Sequence, residues 1–235
     1  MKQLNKLLLS SLALSISCAY AGTMGPVVVE PTMKEGLYVG AGIGGAMYND
    51  KIKAYNSTTL AQQQNSFNTS SALASVFAGV GRTYLNKYYL GVEANSYFPS
   101  HRANWDDRPG VTNIGQFFSD QFLVQNYVNL DLLPGYRINP EVLIYGRVGL
   151  SFSNIYFNQN PNAALNLPTF SNNTTSTGGR LGCGLAYQLT DHVGAGVDYY
   201  YSYNPTSSNY SNSENTMIQL TSHMNYVGFS LFYTV

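Results

Sequence analysis

The chain has 235 residues, with 12 Lys plus Arg against 12 Asp plus Glu, only 10% charged residues, and 20 Tyr beside a single Trp. Typical soluble proteins carry about 25% charged residues, so the composition speaks against an ordinary soluble surface, and the balance of charge gives no basis for binding nucleic acid. Beyond the N-terminus no run of 18 apolar residues occurs, which excludes a membrane helix and leaves strands as the way such a chain meets lipid.

Residues 1–21 read as a signal peptide. Lys2 and Lys6 form a basic region, Leu7 to Ile16 an apolar core, and Ala19-Tyr20-Ala21 a small-x-small cleavage site before Gly22. Cys18 raises a lipoprotein alternative, but Ser15-Ile16-Ser17 lacks the Leu of a lipobox, so simple cleavage ranks first. Cleavage takes two lysines and no acid from the balanced total of 12 and 12, leaving a formal charge of −2. Cys183 is then the one cysteine left, and no internal disulfide can form. Residues 22–35, with Pro26 and Pro31 around three valines, read as a periplasmic lead-in segment, and 36–235 as the barrel domain.

Eight alternating segments follow, each long enough to cross a bilayer as a tilted strand. The first, 37–48, places Leu37, Val39, Ala41, Ile43 and Met47 on one face, and Tyr38, Gly40, Gly42, Gly44 and Tyr48 on the other. It contains a formal GxGxxG match starting at Gly40. A dinucleotide loop must open a helix, whereas Met47-Tyr48-Asn49-Asp50 and a polar tract follow here, so the glycines read as room in a narrow lumen. The second strand, 72–84, puts Val76, Ala78 and Val80 outward. The third, 88–98, sends Leu90, Val92 and Ala94 outward and Tyr89, Glu93, Asn95 and Tyr97 inward. In the fourth, 121–137, Phe122, Val124, Val128, Leu130 and Leu132 share one face, with Gln125, Tyr127, Asn129 and Asp131 on the other. The fifth, 142–154, points Tyr145, Arg147 and Gly149 inward. The sixth, 177–189, does the same with Arg180, Gly182, Gly184 and Ala186, and the seventh, 193–203, with Gly194, Gly196, Asp198 and Tyr200. The eighth, 217–235, closes with Val227, Phe229, Leu231, Tyr233 and Val235 alternating on a lipid face.

Short turns alternate with polar stretches at 49–71, 99–120, 155–176 and 204–216, which read as long loops. The expected fold is all-β: an eight-stranded antiparallel up-and-down transmembrane barrel with short periplasmic turns and long surface loops. Closure leaves no backbone edge unpaired in lipid.

Several segments resemble the transmembrane domain of the outer membrane protein A family of small barrels. Val142-Leu143-Ile144-Tyr145-Gly146-Arg147-Val148-Gly149 is similar to its fifth strand. Gly184-Leu185-Ala186-Tyr187-Gln188-Leu189-Thr190 followed by Val197-Asp198-Tyr199 is similar to its sixth-to-seventh hairpin, and Leu90-Gly91-Val92-Glu93 to its third strand. The resemblance spans about Gly36 to Val235. It implies a bacterial outer-membrane location, contact with outer-membrane lipid and lipopolysaccharide, and insertion by the barrel-assembly machinery. The closing strand of outer-membrane barrels usually carries a terminal Phe or Trp, where this sequence has Val235; relatives of outer membrane protein A continue into a peptidoglycan-binding domain, and wall anchoring is not expected here. The lumen network of the family matches at Glu93, Arg147 and Asp198, while other expected partners fall on Leu133, Ala186 and Gly196, so the network must be rearranged.

The inward charges are Glu93, Asp131, Arg147, Arg180 and Asp198. Ions in a narrow lumen need partners, so acids and bases occurring together read first as a structural plug, then as a gated pore. A lipid-modifying enzyme would need a His oriented by an acid beside a nucleophile. Ser222 and His223 are adjacent and point to opposite faces, so they make no dyad. His101 and His192 fall in connections, and no metal-ligand spacing or cofactor motif survives. The expectation is a non-enzymatic structural barrel whose loops meet a host or phage ligand or serve adhesion. A narrow channel for small solutes is the first alternative and a lipid-modifying enzyme the second.

Overall fold

In a computed structural model the described residues are 33–56, 60, 62–98, 101–106, 118–161, 170–211 and 216–235; the stretch read as a signal peptide and most of that read as a lead-in lie outside them. Among the described residues nine strands form: β1 (Gly36–Asn56), β2 (Gln62–Tyr84), β3 (Tyr88–Phe98), β4 (His101–Asp106), β5 (Phe118–Asn139), β6 (Val142–Pro161), β7 (Phe170–Gln188), β8 (Val193–Ser211) and β9 (Thr216–Thr234). All pairings are antiparallel. Each main strand pairs with the next, β3 pairs with β5, and β9 returns to β1, where Ala41 faces Leu231 across the closing seam. The short β4 lies beyond β3 against the far part of β5. The ring is therefore the expected eight-stranded barrel, with β4 as an added rung inside the second connection.

Alternation sets the two faces. Leu37, Val39, Ile43 and Met47 on β1 point outward, while Tyr38 and Tyr48 are buried in the lumen. Val227, Phe229, Leu231, Tyr233 and Val235 point outward and are exposed, with Ser230, Phe232 and Thr234 buried between them. Where an inward ring is large, its neighbour is small: a Cβ on Gly79 would collide with the Tyr38 ring across the ladder.

The connections at one end are short. Lys87 N donates to Tyr84 O at 3.1 Å, and Leu85 and Asn86 both have positive φ, 52° and 59°. That is the mirror-image turn matched to strand twist.

The other end corrects the sequence reading. The stretches 49–71, 155–176 and 204–216 are largely not loops but continuing ribbons. β1 and β2 stay paired as far as Tyr55 and Gln62, β6 and β7 as far as Gln159 and Phe170, and β8 and β9 as far as Ser211 and Thr216. The hydrophobic parity inverts along the way. In these extensions Ile52, Ile155, Phe157 and Leu220 are buried inside, with Lys51, Lys53 and Tyr156 outside. A pattern search tuned to apolar-outward strands sees only polar, unphased sequence there.

A second correction concerns β5. Its ladder with β6 slips between Gln125 and Val128. Positions 122 and 124 are in register with Phe157 and Ile155, whereas position 128 pairs with Phe152. The β5 positions read as one face are thus divided by a bulge.

Candidate functional site

The lumen is filled in layers. At the short-turn end Met33, Tyr89, Leu133, Leu143, Tyr145, Ala186 and Phe232 pack as an apolar floor, with Phe77 against them. At the long-hairpin end Ile52, Leu73, Ile155, Phe157, Leu220 and Met224 form a second apolar cluster, which reaches down to Tyr97, Tyr200 and Tyr226. Between the two lies the charge cluster.

Arg147 on β6 is its hub. Its Nη1 donates to Glu93 Oε1 at 2.8 Å and to Asp131 Oδ2 at 2.6 Å, and its Nη2 donates to Asp198 Oδ1 at 3.0 Å. The register explains the meeting: Glu93 and Asp131 are direct partners across β3 and β5, and Asp131 pairs with Gly149 on β6, two residues from Arg147. A Cβ on Gly149 would strike the Asp131 carboxylate, so glycine there leaves the acid its space. Tyr145 Oη donates to Asp198 Oδ1 at 2.7 Å, which fixes the third acid.

Arg180 sits apart from this hub, toward the aromatic layer. It donates to Asn95 Oδ1 at 2.8 Å and to Tyr97 Oη at 3.2 Å, lies 3.8 Å from the Tyr200 ring centre, and is 3.6 Å from Asp131. Asn129 Nδ2 donates to Asn95 Oδ1 at 2.9 Å, and Asn95 Nδ2 to Asp131 Oδ2 at 2.8 Å, so the amides tie the two arginine sites together.

Two cations belong here that the sequence reading did not include. Lys34 lies in the stretch read as periplasmic lead-in, yet its ammonium is buried in the lumen, 3.2 Å from Glu93 Oε2. It also stands over the rings of Tyr38, Tyr145, Phe232 and Phe77, at 4.8, 4.9, 5.1 and 5.4 Å. Rings offer their negative faces to a cation, so this cage replaces part of its lost hydration. Its backbone is latched: Lys34 N donates to Thr234 Oγ1, Met33 N to Gln188 Oε1, and Arg137 Nη2 to Met33 O at 2.6 Å. Arg137, the second missed cation, is buried at this floor and also donates to Thr83 Oγ1 at 2.7 Å. Its odd position matches Asp131 on the same strand, a usable signal. Lys34 precedes the first strand and carries no period, so nothing in the pattern marks it.

Lys34 completes the charge count. Glu93, Asp131 and Asp198 now face Lys34, Arg147 and Arg180, three against three, while Arg137 at the floor pairs separately with Glu35 at 3.6 Å. The cavity beside this cluster measures about 20 Å³, roughly the space of one water.

The other candidates fall elsewhere. The glycine motif of β1 is wholly in the ladder, Gly40 through Gly45 pairing with Phe77 through Ala72. His223 stacks on Tyr201 at the outer face while Ser222 is buried within. His192 stacks on Tyr233 near the short-turn end, and the His101 side chain lies outside the described residues. Among the described residues no group of three His, Cys, Asp or Glu is placed to hold a metal.

Comparison with known proteins gives a family model, described as the outer membrane protein beta-barrel domain, matching residues 7–224. No curated protein matches. Among solved structures, the outer membrane protein OprG from Pseudomonas aeruginosa is similar at 15% identity, over 87% of this chain and 99% of that one, with a TM-score of 0.49. Neisserial surface protein A is similar at 16% identity over 82% and 97%, TM-score 0.36. Ail, the attachment invasion locus protein of Yersinia pestis, solved with the heparin analogue sucrose octasulfate, is similar at 12% identity over 81% and 98%, TM-score 0.35.

Proposed function

This chain belongs to the outer membrane β-barrel family of bacteria, and from that premise we propose that it is a closed, non-enzymatic structural barrel presenting its long hairpins at the cell surface for recognition or adhesion. The observation that carries this reading is the filled lumen. A neutral ion cluster, with a cavity of about 20 Å³ beside it, lies between an apolar floor and an apolar upper layer. Eight strands leave a bore that side chains alone can fill, and ions crossing this one would have to displace buried pairs. The rigid ring then serves as a scaffold for the ribbons beyond it, the usual place for recognition. Opposite-face placement of Ser222 and His223 supports the non-enzymatic part.

Planar-bilayer recording on refolded protein tests closure: a silent membrane is expected, and stable ohmic steps would overturn it. Protease added to whole cells tests display. Cuts within the hairpin segments around 160 or 208 are expected, and cleavage only after opening the cells would reverse the orientation.

A narrow conduit is the second reading, favoured by one observation. Ser151, Ser153, Ser202 and Asn204 carry buried oxygens without a protein hydrogen-bond partner. Buried polar atoms of this kind are normally met by water, so a hydrated pocket above the ion cluster fits the lumen.

A further inference from the structure

On the outer face of β2, β1, β9 and β8 the side chains fall in transverse rows fixed by the register. The row Ala72–Gly45–Val227–Tyr199 is followed by Ser70–Met47–Asn225–Tyr201, then Asn68–Asn49–His223–Tyr203, and then Ser66–Lys51–Thr221. Gly45 and Ala72 leave a dent of about 610 Å³ bordered by Met47, Val227, Tyr199 and Asn225. Above it runs an amide and aromatic band. Asn49 Nδ2 donates to Asn68 Oδ1 at 2.6 Å, Tyr199 Oη to Asn225 Oδ1 at 3.0 Å, and the His223 ring lies against Tyr203 at 5.0 Å. Tyr at such a height marks the membrane–water boundary. Lys51 and Lys53 come next, both outward and exposed. A strand rises about 3.3 Å per residue, which sets Lys51 about 13 Å along the strand from Met47. Among the described residues no carboxylate shares this outward face at the level of the lysines; the neighbouring Asp50 points into the lumen and is buried.

We propose that this face is a binding site for one phosphorylated glycolipid of the outer leaflet. An acyl chain fills the dent at Gly45, the saccharide lies on the Asn49, Asn68 and Asn225 band, and a phosphate meets Lys51 and Lys53. The order of chemistries, apolar then hydrogen-bonding then cationic, is the order of such a lipid from tail to head. A second dent, about 730 Å³, lies on the other side of Tyr199 against Pro134, Gly146 and Cys183. Neither dent has a charged residue in its lining; the first is set apart by the exposed Lys51 and Lys53 farther along the same face of β1. The assignment to the outer leaflet rests on the proposed orientation of the long hairpins; the binding chemistry does not.

The test uses the full chain refolded in zwitterionic micelles, with folding checked by its mobility before boiling. Native mass spectrometry counts adducts with bis-phosphorylated lipid A, with the same lipid after phosphatase treatment, and with phosphatidylglycerol. One discrete lipid A adduct is expected, weakened roughly thirtyfold by phosphate removal, since each lysine near an anionic surface contributes about fivefold. Lys51→Gln with Lys53→Gln should abolish the preference for phosphate. Gly45→Phe should weaken both forms of lipid A by filling the dent; a Cβ there meets no atom within 4 Å, so the barrel accommodates it. Equal binding of the two lipid A forms by the wild type, or an undiminished preference in the double lysine variant, overturns the site. Equal affinity for phosphatidylglycerol overturns the glycolipid assignment. Micelles have no sides, so none of these outcomes depends on the whole-cell protease result.

Discussion

Arg147 touches three carboxylates at once, and the consequence of losing it follows from that number. Removing one member of a buried ion set strands the others in a medium that solvates them poorly, at a cost of about 3–5 kcal/mol. Arg147→Ala should therefore lower the urea midpoint of the refolded barrel by that order. Adding Asp131→Asn should recover only part, because Glu93 and Asp198 also lose their closest cation. Full recovery with one acid neutralised would show that the hub is effectively a pair. Leu85 makes the opposite case. It holds φ at 52° in the turn between β2 and β3 and is exposed. An L-residue other than Gly, Asn or Asp pays about 1–2 kcal/mol for that conformation, and Leu85 has little packing to offset it. Leu85→Asn should raise stability by about 1 kcal/mol, read from the same urea curve; an unchanged midpoint would mean the Leu side chain is held by lipid at the rim.

Each long strand is two strands in one, and the boundary between them explains what the sequence disclosed. Below it the outward face is apolar, and the alternation of β3 or β9 reads directly; the bounds of β3 coincide with the expected 88–98. Above it Lys51-Ile52-Lys53 and Ile155-Tyr156-Phe157 carry the same period with the opposite sense, inside apolar and outside wet. Read with one fixed parity, they dissolve into loop. The bulge of β5 hides for a related reason, since one extra residue swaps faces without altering composition. Period-2 counting within a single strand assigns Glu93, Asp131, Arg147, Arg180 and Asp198 to the inward face on which the ion pairs form; it cannot reach Lys34, which lies before any period begins. The two zones predict different mutational behaviour on neighbouring surfaces. Phe229→Arg, outward in the lower zone, sets a charge toward lipid and should cost about 2–4 kcal/mol near the midplane, seen as failure to fold into vesicles. Phe157→Ala, inward in the upper zone, should leave insertion intact and loosen the ribbon, since emptying a buried Phe site costs about 3–5 kcal/mol. The expected readout is faster proteolysis of the upper segments at unchanged heat-modified mobility. If Phe157→Ala blocked insertion instead, the upper zone would have to form before or with the membrane ring.

At the scale of the molecule, the proposed seal is built twice, and the stretch ahead of β1 supplies part of the lower one. Met33 and Lys34 enter at the short-turn end, where backbone latches to Thr234, Gln188 and Arg137 hold them against the floor. Lys34 brings the charge that balances the third acid, so the cluster is neutral only with this segment in place. Lys34→Met keeps much of the side-chain volume in the aromatic cage and removes that charge alone. The central cluster is then left with three carboxylates against two cations, and among the described residues Glu93 keeps Arg147 as its one ion partner. Stability should fall, and Glu93→Gln added to Lys34→Met should return part of it, because the second change restores neutrality. Conductance should nevertheless stay at baseline. The upper cluster of Ile52, Ile155, Phe157 and Leu220 is apolar and contains no part of Lys34, so under the proposed closure an ion would still meet it whatever the charge below. Single-channel recording on Lys34→Met separates the two seals. Cation-selective steps, the sign set by the surplus carboxylate, would mean that the lower cork alone closes the barrel and that the upper cluster is permeable. Silence in Lys34→Met together with steps in Phe157→Ala would place the barrier in the upper layer, with the charge cluster acting on stability alone.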